Sequence, residues 1–461
     1  MIQEKGPAVS VIIAVYNGEA YLTECMESIL AQTLENIEII CLDDASTDAT
    51  PQILDRYGDR ITVLRNQRNL RAGESRNRGL AAACGEYVIF LDADDVFERD
   101  MLGKAYRKAQ CCNADICIFK EDEFADNIQN RHGYPYAETL MAKLGERNFF
   151  SPPEYRDILF NLWNGWAWDK LFRREFLIDK GLKFPDIQTS EDGFLVHAAM
   201  ASADRISVLN EVLVHHRTGN GSSLSNARDC AWESCLIYLG ELMRYLKQKN
   251  LFPIFERSYV NWEADFLYWN YRTLSDGNRK KLADRMRQFF SEICLAGRYK
   301  ETFFNNAFSH WFVRRIVSGS EDDIPLTEEN CYQMTYQLNV SKLERLYQYL
   351  SGHFQGIALW GAGVRGQAFA KVYGGKWTWL QDVYDMDQGK RGQELCSGLI
   401  VKEFDLKKNE ADCIMVLNAA HMKSVYEILK GEQVTLFDMN TYLTLPFGIE
   451  ECLIDCRNDR L

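Results

Sequence analysis

The sequence has no excess of basic residues over acidic ones and no long apolar run. Lys and Arg number 53 against 66 Asp and Glu, a net charge of −13. Phosphate backbones need basic surfaces, so this balance argues against a nucleic-acid partner. No run of about 18 apolar residues occurs, which predicts no membrane-spanning helix. An anionic substrate must therefore be held locally, by a metal ion, arginines or helix N-termini.

Paired cysteines are also lacking. The 14 cysteines are scattered, with no Cys-x-x-Cys spacing, and adjacent Cys111 and Cys112 are poorly placed to bridge each other. Residues 1–6 contain no apolar signal core. We expect reduced cysteines and a cytoplasmic protein, with peripheral contact at the inner face of a membrane left open. The oligomeric state is left open as well.

The hydrophobic pattern of the 461 residues predicts an α/β protein of three domains. Residues 8–120 alternate strand-like and helix-like segments, which is typical of a mostly parallel sheet. Residues 226–350 carry helical spacing with many aromatic residues, and 351–461 return to strand-helix alternation. We therefore expect a catalytic domain over 1–225, a helical subdomain over 226–350 and a Rossmann-like domain over 351–461. The strand-like segments of the first domain are Val9–Val15, Ile37–Leu42, Ile61–Leu64, Tyr87–Leu91, Asp115–Phe119 and Arg205–His216, and residues 121–165 read as an irregular insertion.

The run Val-Ile-Phe-Leu-Asp-Ala-Asp-Asp (88–95) is the most informative segment. A buried strand ends here in three carboxylates, and ligands bind outside the carboxyl ends of strands in open α/β sheets. Asp92, Asp94 and Asp95 would repel one another unless a cation relieves them. A hard divalent ion, Mn²⁺ or Mg²⁺, prefers such oxygen ligands. An isolated Asp-x-Asp is more often a plain capping turn.

Three further segments end at the same predicted sheet edge. Residues 15–17 lie at the end of the first strand, Asp43–Asp48 follow the second, and Asn69–Asn77 open a helix that carries Arg76. An aspartate here can accept a hydrogen bond from a base or a ribose, and Arg76 can reach a diphosphate. Each segment alone also reads as an ordinary turn or helix cap.

Together these segments resemble the family 2 glycosyltransferases of the GT-A fold. The matching blocks are Val-Ser-Val-Ile-Ile-Ala-Val-Tyr-Asn (9–17), Leu-Asp-Asp-Ala-Ser-Thr-Asp (42–48), Asn-Leu-Arg-Ala-Gly-Glu-Ser-Arg-Asn-Arg-Gly (69–79) and Phe-Leu-Asp-Ala-Asp-Asp (90–95). The resemblance implies inverting transfer from a nucleotide-sugar, with a UDP-sugar favoured. It implies that Asp44 binds the base, and that Asp94, together with Asp92, binds the metal. The implied nucleotide-sugar-binding residues are Val15, Tyr16, Asn17, Glu19, Asp44, Asn69, Arg76, Asp92, Ala93 and Asp94.

The resemblance continues to about residue 225. Trp168-Asp169-Lys170-Leu171-Phe172 is similar to a segment near the acceptor, and Glu191-Asp192 is similar to a pair whose aspartate is the catalytic base. An acceptor hydroxyl is a weak nucleophile, which explains the need for a base. The implied acceptor-side residues are Trp168, Lys170 and Glu191, and the base is Asp192. In the polar loop 215–222, His215 and His216 are weaker metal-ligand candidates, and a polar strand edge is the favoured reading.

A glycine-rich turn lies near the C-terminus. Strand-like Ile357–Trp360 runs into Gly361, Gly363 and Gly366, and Asp385 follows the next strand. This context fits a dinucleotide fingerprint and predicts a nucleotide site at these four residues, with NAD as its ligand. The segment also resembles Rossmann-like appendages of sugar-modifying enzymes. We favour a module kept for packing or association over NAD binding.

The sequence thus predicts a metal-dependent inverting glycosyltransferase acting on a glycan or lipid-linked acceptor in surface polysaccharide biosynthesis. One alternative is a non-catalytic nucleotide-sugar-binding or scaffolding protein. A sugar nucleotidyltransferase is less favoured, because residues 15–19 are not a glycine-rich basic loop that could hold a triphosphate. The donor sugar, acceptor and linkage stay open.

Overall fold

The computed structural model describes residues 6–133, 138–219, 228–293, 299–374, 376–378, 380–396 and 398–457. They form two compact units. The first comprises Met1–Tyr134 and Lys143–Tyr259, and the second comprises Pro135–Ala142 and Val260–Leu461. These ranges do not coincide with the boundaries expected at 225 and 350, because helical chain as far as Tyr259 belongs to the first unit.

The first unit is built on a mixed sheet. Its strands are β1 Val9–Val15, β2 Ile37–Asp43, β3 Thr62–Arg65, β4 Tyr87–Asp92, β5 Val96–Phe97, β6 Ile116–Phe124, β7 His132–Gly133, β8 Lys170–Arg173 and β9 Ile206–Arg217. The order is β3-β2-β1-β4-β8-β6-β9-β5, with β7 beside β6. Strands β1 to β4 are parallel, whereas β8 runs antiparallel to both β4 and β6. The expectation of a mostly parallel sheet therefore holds for only one half.

The helices of the first unit are α1 Leu22–Leu30, α2 Thr50–Asp55, α3 Arg71–Ala82, α4 Met101–Cys112, α6 Arg174–Lys180, α7 Glu191–Ser202 and α8 Ser234–Gln248. Two more helices, α5 Glu138–Glu146 and α9 Phe252–Thr273, have residues in both units. The predicted strand positions up to residue 119 are confirmed to within a few residues. Strand β8 and helix α5 were not expected, because β8 has only four residues and opens on a lysine, an unfavourable start for a buried strand.

The pairing of β1 with β2 and with β4 aligns the carboxyl ends of these three strands. Val15 of β1 pairs with Asp43 of β2, and Ala14 pairs with Asp92 of β4. Strand β1 is almost wholly buried, as a continuous run of β-branched and apolar residues at the centre of a sheet should be. The loops that follow β1, β2 and β4 therefore open side by side at one edge.

The second unit contains a second sheet. Its elements are α10 Asp276–Ile293, α11 Ala307–Ser318, α12 Glu328–Leu338, α13 Val340–His353, β10 Ile357–Trp360, α14 Val364–Tyr373, β11 Leu380–Tyr384, β12 Glu394–Cys396, β13 Leu399–Lys402, β14 Cys413–Val416, α15 Met422–Leu429, β15 Thr435–Asp438, α16 Met439–Thr444 and β16 Leu453–Asp455. The order is β12-β13-β11-β10-β14-β15-β16. Alternate residues of β10 enter two separate cores, so both faces are covered. Leu343 and Leu350 of α13 belong to one of these cores, so this helix packs with the sheet that follows it.

Within the described chain, no helix is both long enough and apolar enough to cross a bilayer.

Candidate active site

The loops after β1 and β2 hold each other through side chains predicted to bind the donor. The Asn17 N–H donates to Ser46 Oγ at 3.0 Å, and Asn17 Oδ1 accepts the Thr47 N–H at 2.8 Å. Glu19 Oε2 accepts the Ala49 N–H at 2.8 Å. The structure thus gives Asn17 and Glu19 a shared task, which is to hold the second loop against the first.

Asp44 lies beneath these loops. It is 3% exposed, and its Oδ1 accepts hydrogen bonds from Asn66 Nδ2 at 2.6 Å and from the Leu70 N–H at 2.8 Å. The Asp44 N–H donates to the carbonyl of Val15. The Asp44 carboxylate therefore ties the end of β3 to the start of α3, and the Asp44 N–H ties this loop to the end of β1.

Two predicted donor-binding residues are exposed near this edge. Tyr16 directly follows β1 and is 51% exposed. Asn69 precedes α3 and accepts the Arg71 N–H at 3.0 Å. An exposed aromatic ring presents a flat apolar face on which a base can stack.

The acidic turn after β4 forms a cluster. One carboxylate oxygen from each of Asp92, Asp94 and Asp95 lies within 4.8 Å of the others, and it is the sole such group of potential metal ligands among the described residues. Burial raises the pKa of Asp94 to about 7, and the charges of Asp95 and Asp92 raise it further. Oδ2 of Asp95 is buried and has no hydrogen-bond partner in the described chain. Crowded, under-bonded carboxylate oxygens fit a hard divalent cation.

His216 is bound to the innermost of these acids. Its Nδ1 lies 3.0 Å from Oδ1 of Asp95, which is fully buried and also accepts the Arg217 N–H. Burial lowers the pKa of His216, but the hydrogen bond and charge of Asp95 outweigh it and raise the pKa to about 9. Asp95 thus occupies Nδ1 of His216, and the role of His216 as a metal ligand stays a prediction.

His215 points to other acids. Its Nδ1 lies 2.6 Å from Asp122 Oδ1 and its Nε2 lies 3.1 Å from Glu98 Oε1. Both ring nitrogens of His215 are thus occupied by acids, and its weaker candidacy as a metal ligand stays a prediction. The rest of the predicted polar loop, residues 220–222, lies outside the described residues.

Arg76 joins the acidic turn to the start of α7. Its Nη2 donates to Asp92 Oδ1 at 2.6 Å, and its Nη1 donates to Glu191 Oε1 at 2.9 Å and Asp192 Oδ1 at 2.7 Å. The arginine is 4% exposed. Both N–H groups of Nη1 are thereby used, and the expected contact of Arg76 with a diphosphate stays a prediction.

The carboxylate of Asp192 has the environment of a general base. Burial raises its pKa to about 7, although the charge of Arg76 lowers it. Its Oδ2 accepts the Ala167 N–H at 3.4 Å. A carboxylate with a pKa near neutrality both ionises and accepts a proton under physiological conditions.

Lys170, predicted on the acceptor side, is fully buried. Its Nζ donates to the carbonyls of Asn164 at 3.1 Å and Trp166 at 2.9 Å, and to Asp169 Oδ1 at 2.6 Å. All three ammonium donors are used within the protein. Lys170 therefore shapes the loop that carries Trp166, and makes no direct contact with solvent.

An aromatic stack lies between that loop and His216. The ring of Trp168 is 4.8 Å from that of Trp166 and 5.1 Å from that of His216, with interplanar angles of 18° and 14°. Trp168 is 2% exposed, whereas Trp166 is only partly buried. The stack links the acidic turn to the loop whose Ala167 contacts Asp192.

Comparison with known proteins identifies the family. The family described as Glycosyl transferase family 2 matches residues 10–179. EpsH of Bacillus subtilis is 32% identical over 253 residues, which cover 53% of this chain and 70% of EpsH. The chain belongs to glycosyltransferase family 2.

Further relatives agree with this assignment. The cholesterol galactosyltransferase of Borreliella burgdorferi is 27% identical over 57% of this chain and 74% of its own length. The solved structure of residues 1–349 of Staphylococcus aureus TarS, in complex with UDP-GlcNAc, matches with a TM-score of 0.53 and 20% identity over 68% of this chain and 89% of that one. This likeness confirms the GT-A fold.

The glycine-rich turn of this glycosyltransferase lies in its second unit, between β10 and α14. A Cβ on Gly366 would come within 2.1 Å of the Gly361 carbonyl oxygen, so only glycine permits this close packing. Asp385 Oδ2 accepts the Ala362 N–H at 2.7 Å and lies 3.3 Å from Lys390 Nζ. The fourth predicted residue, Gly363, precedes α14. The four residues do converge, while NAD binding and the Rossmann-like identity stay predictions.

Sequence reasoning missed several side chains of the transferase site. It did not place His216 against Asp95, and it gave no role to Trp166 or to Phe184, whose ring lies 5.4 Å from the Arg76 guanidinium carbon. The contacts of His216 with Asp95 and of Phe184 with Arg76 each join segments more than a hundred residues apart, so no local spacing reveals them.

Proposed function

We propose that this glycosyltransferase moves a sugar, with inversion, from a nucleoside diphosphate sugar to a hydroxyl of a glycan or lipid-linked acceptor. The observation that carries the proposal is the pair of contacts by which Arg76 holds Asp92 and Asp192 on one guanidinium. A donor-side acid and a base are thereby adjacent at one sheet edge, where α/β folds bind ligands.

A UDP-sugar is the favoured donor, and polysaccharide biosynthesis the favoured setting. The matching TarS structure contains UDP-GlcNAc, and another relative, 29% identical, is the succinoglycan biosynthesis protein ExoO of Rhizobium meliloti. Tyr16 and Asp44 lie on the loops after β1 and β2, Asn69 lies on the loop before α3, and all three would bind the nucleoside. Val15, Asn17, Glu19 and Ala93 would shape its pocket.

Asp92 and Asp94 would hold Mn²⁺ or Mg²⁺. Their oxygens lie within one cluster with Asp95, and the buried Asp95 Oδ2 has no other partner in the described chain. When bound, the cation offsets charge on the leaving diphosphate. His216 and the Arg217 N–H hold Asp95, and so keep the turn in place.

Asp192 would remove the proton from the acceptor hydroxyl. The proton goes to the Asp192 carboxylate as the hydroxyl oxygen forms its bond to the anomeric carbon, while the bond from that carbon to the diphosphate breaks. Direct displacement of this kind inverts the anomeric centre. Ionised Asp192 and the geometry of the loop at Ala167 are what this chain contributes to that step.

A thermal-shift screen of nucleotide-sugars, with and without Mn²⁺, tests the proposal. A ligand that binds only the native state raises the melting temperature. We expect UDP-sugars to stabilise the protein in the presence of Mn²⁺ and to be turned over to UDP. Absence of stabilisation by every nucleotide-sugar would contradict the proposal, and stabilisation without UDP release would favour the non-catalytic binding protein.

A further inference from the structure

Arg76 contacts three carboxylates of the site, whereas the sequence predicts that it contacts a diphosphate. Its two terminal nitrogens bind three carboxylates, and its Nε is buried without a hydrogen-bond partner in the described part of the chain. These three ion pairs use both N–H groups of Nη1 and one N–H group of Nη2. The guanidinium is thus used as a link between two acidic segments.

We propose that Arg76 is a positioning residue that fixes the base Asp192 relative to Asp92, in place of the diphosphate contact expected from the sequence. This inference rests on the proposed function and assigns a role within the same site. Nη2 holds Asp92 at 2.6 Å and Nη1 holds Asp192 at 2.7 Å. Because the guanidinium is planar and rigid, these two contacts set the separation and orientation of the two carboxylates.

An aromatic ring packs against the guanidinium of Arg76. The centroid of the Phe184 ring lies 5.4 Å from Arg76 Cζ. Phe184 is held in turn by Asn77, whose Oδ1 accepts the Phe184 N–H at 2.9 Å and whose Nδ2 donates to the Phe184 carbonyl at 2.9 Å. Asn77 is the residue after Arg76 on α3. Helix α3 therefore carries Arg76 and also, through Asn77, holds the Phe184 ring that packs against Arg76.

Helix α3 must come close to α7 for this link to form. A Cβ on Gly73, almost one turn before Arg76, would lie 3.1 Å from the Pro185 carbonyl oxygen and 3.3 Å from Glu191 Cγ. Ser190, the N-cap residue of α7, has a positive φ of 65°. Both features serve the short distance between Arg76 and the Glu191–Asp192 pair.

The test separates positioning from phosphate binding. Arg76→Lys keeps the positive charge but replaces the planar guanidinium, with its two terminal nitrogens, by a single ammonium group. We expect UDP to bind this variant in Mn²⁺ within about threefold of the wild type, because UDP binding does not need the base, while kcat for UDP release from UDP-GlcNAc falls about 100-fold. A large loss of UDP affinity with kcat retained would instead show a phosphate contact and overturn the inference.

A matched control and a double-mutant cycle complete the test. Arg173→Lys alters an arginine with several polar partners at the opposite end of β4, and it should leave both parameters unchanged. In an Asp192→Asn background, Arg76→Lys should cost less than about threefold further activity, since its effect passes through Asp192. Fully additive losses would contradict a positioning role.

Glu191→Gln gives an independent reading if Arg76→Lys fails to fold. The charged groups facing Asp192 are Arg76, Glu191 and Asp92; Arg76 lowers its pKa, and the two acids raise it. Glu191→Gln should therefore move the acidic limb of the kcat–pH profile to lower pH, and Arg76→Lys should move it to higher pH. Shifts of the same sign in the two variants would refute the inference, and so would the absence of a shift to lower pH in Glu191→Gln, which is read without Arg76→Lys. Failure of the wild type itself to bind UDP would instead refute the proposed function.

Discussion

Nδ1 of His216 lies 3.0 Å from Oδ1 of Asp95, although 121 residues separate the two in the sequence. The contact brings the end of β9 back onto the acidic turn after β4, where β5 also pairs with β9. The contact occupies one carboxylate oxygen of Asp95, the most buried aspartate of the turn. The carboxylates of Asp92 and Asp94 are more accessible to solvent. A cation at this turn would accordingly meet Asp92 and Asp94 first.

Asp94→Ala should abolish the Mn²⁺ dependence of UDP binding. Removal of one oxygen ligand from a cluster of three weakens a hard-cation site severely. Isothermal titration of UDP with and without Mn²⁺ measures the effect. Asp179→Ala, at an exposed acid of α6, is the control and should bind like the wild type. Undiminished Mn²⁺-dependent binding by Asp94→Ala would remove Asp94 from the metal site.

Catalytic activity should fall as the pH drops through about 7. A base acts only when ionised, and burial raises the pKa of Asp192 to about 7, so its ionised fraction declines below that pH. An aspartate with an ordinary pKa would stay active to about pH 4. The measurement is kcat between pH 5 and 9 at saturating donor and Mn²⁺. A rate that stays flat down to pH 5 would speak against Asp192 as the base.

Lys170→Ala should lower the free energy of unfolding by about 3 kcal/mol, because it leaves the buried carboxylate of Asp169 without its cation. It also removes the donor that holds the carbonyls of Asn164 and Trp166. Urea denaturation measures the change. Lys104→Ala, in an ion pair with Glu211 near the surface, should cost less than about 1 kcal/mol. Equal effects of the two substitutions would contradict a structural role for Lys170.

Gly366→Ala should destabilise the second unit by about 2 kcal/mol, since its Cβ would come within 2.1 Å of the Gly361 carbonyl oxygen. Gly352→Ala, on α13 of the same unit, meets no atom within 4 Å and should be neutral or slightly stabilising. Thermal unfolding of the two variants provides the comparison. A Gly366→Ala protein as stable as the wild type would show that the turn tolerates a side chain.

Strand ends were predictable from the sequence, and the contacts between distant segments were not. The run that ends at Asp92 has an abrupt change from apolar to acidic residues, so its strand and its position at the sheet edge could be read locally. Lys170 could not be placed, because a lysine in a short segment gives no sign that carbonyl groups surround its ammonium. The link from Arg76 to Asp192 depends on how α3 and α7 pack, which no spacing encodes.

The most direct test of the account is Asp192→Asn, assayed for UDP binding and for transfer. The substitution keeps the shape of the side chain and removes its ability to accept a proton. We predict Mn²⁺-dependent UDP binding close to that of the wild type, together with a loss of transfer of about 100-fold or more. Transfer at the wild-type rate would contradict the assignment of Asp192 as the base, and with it the proposed mechanism.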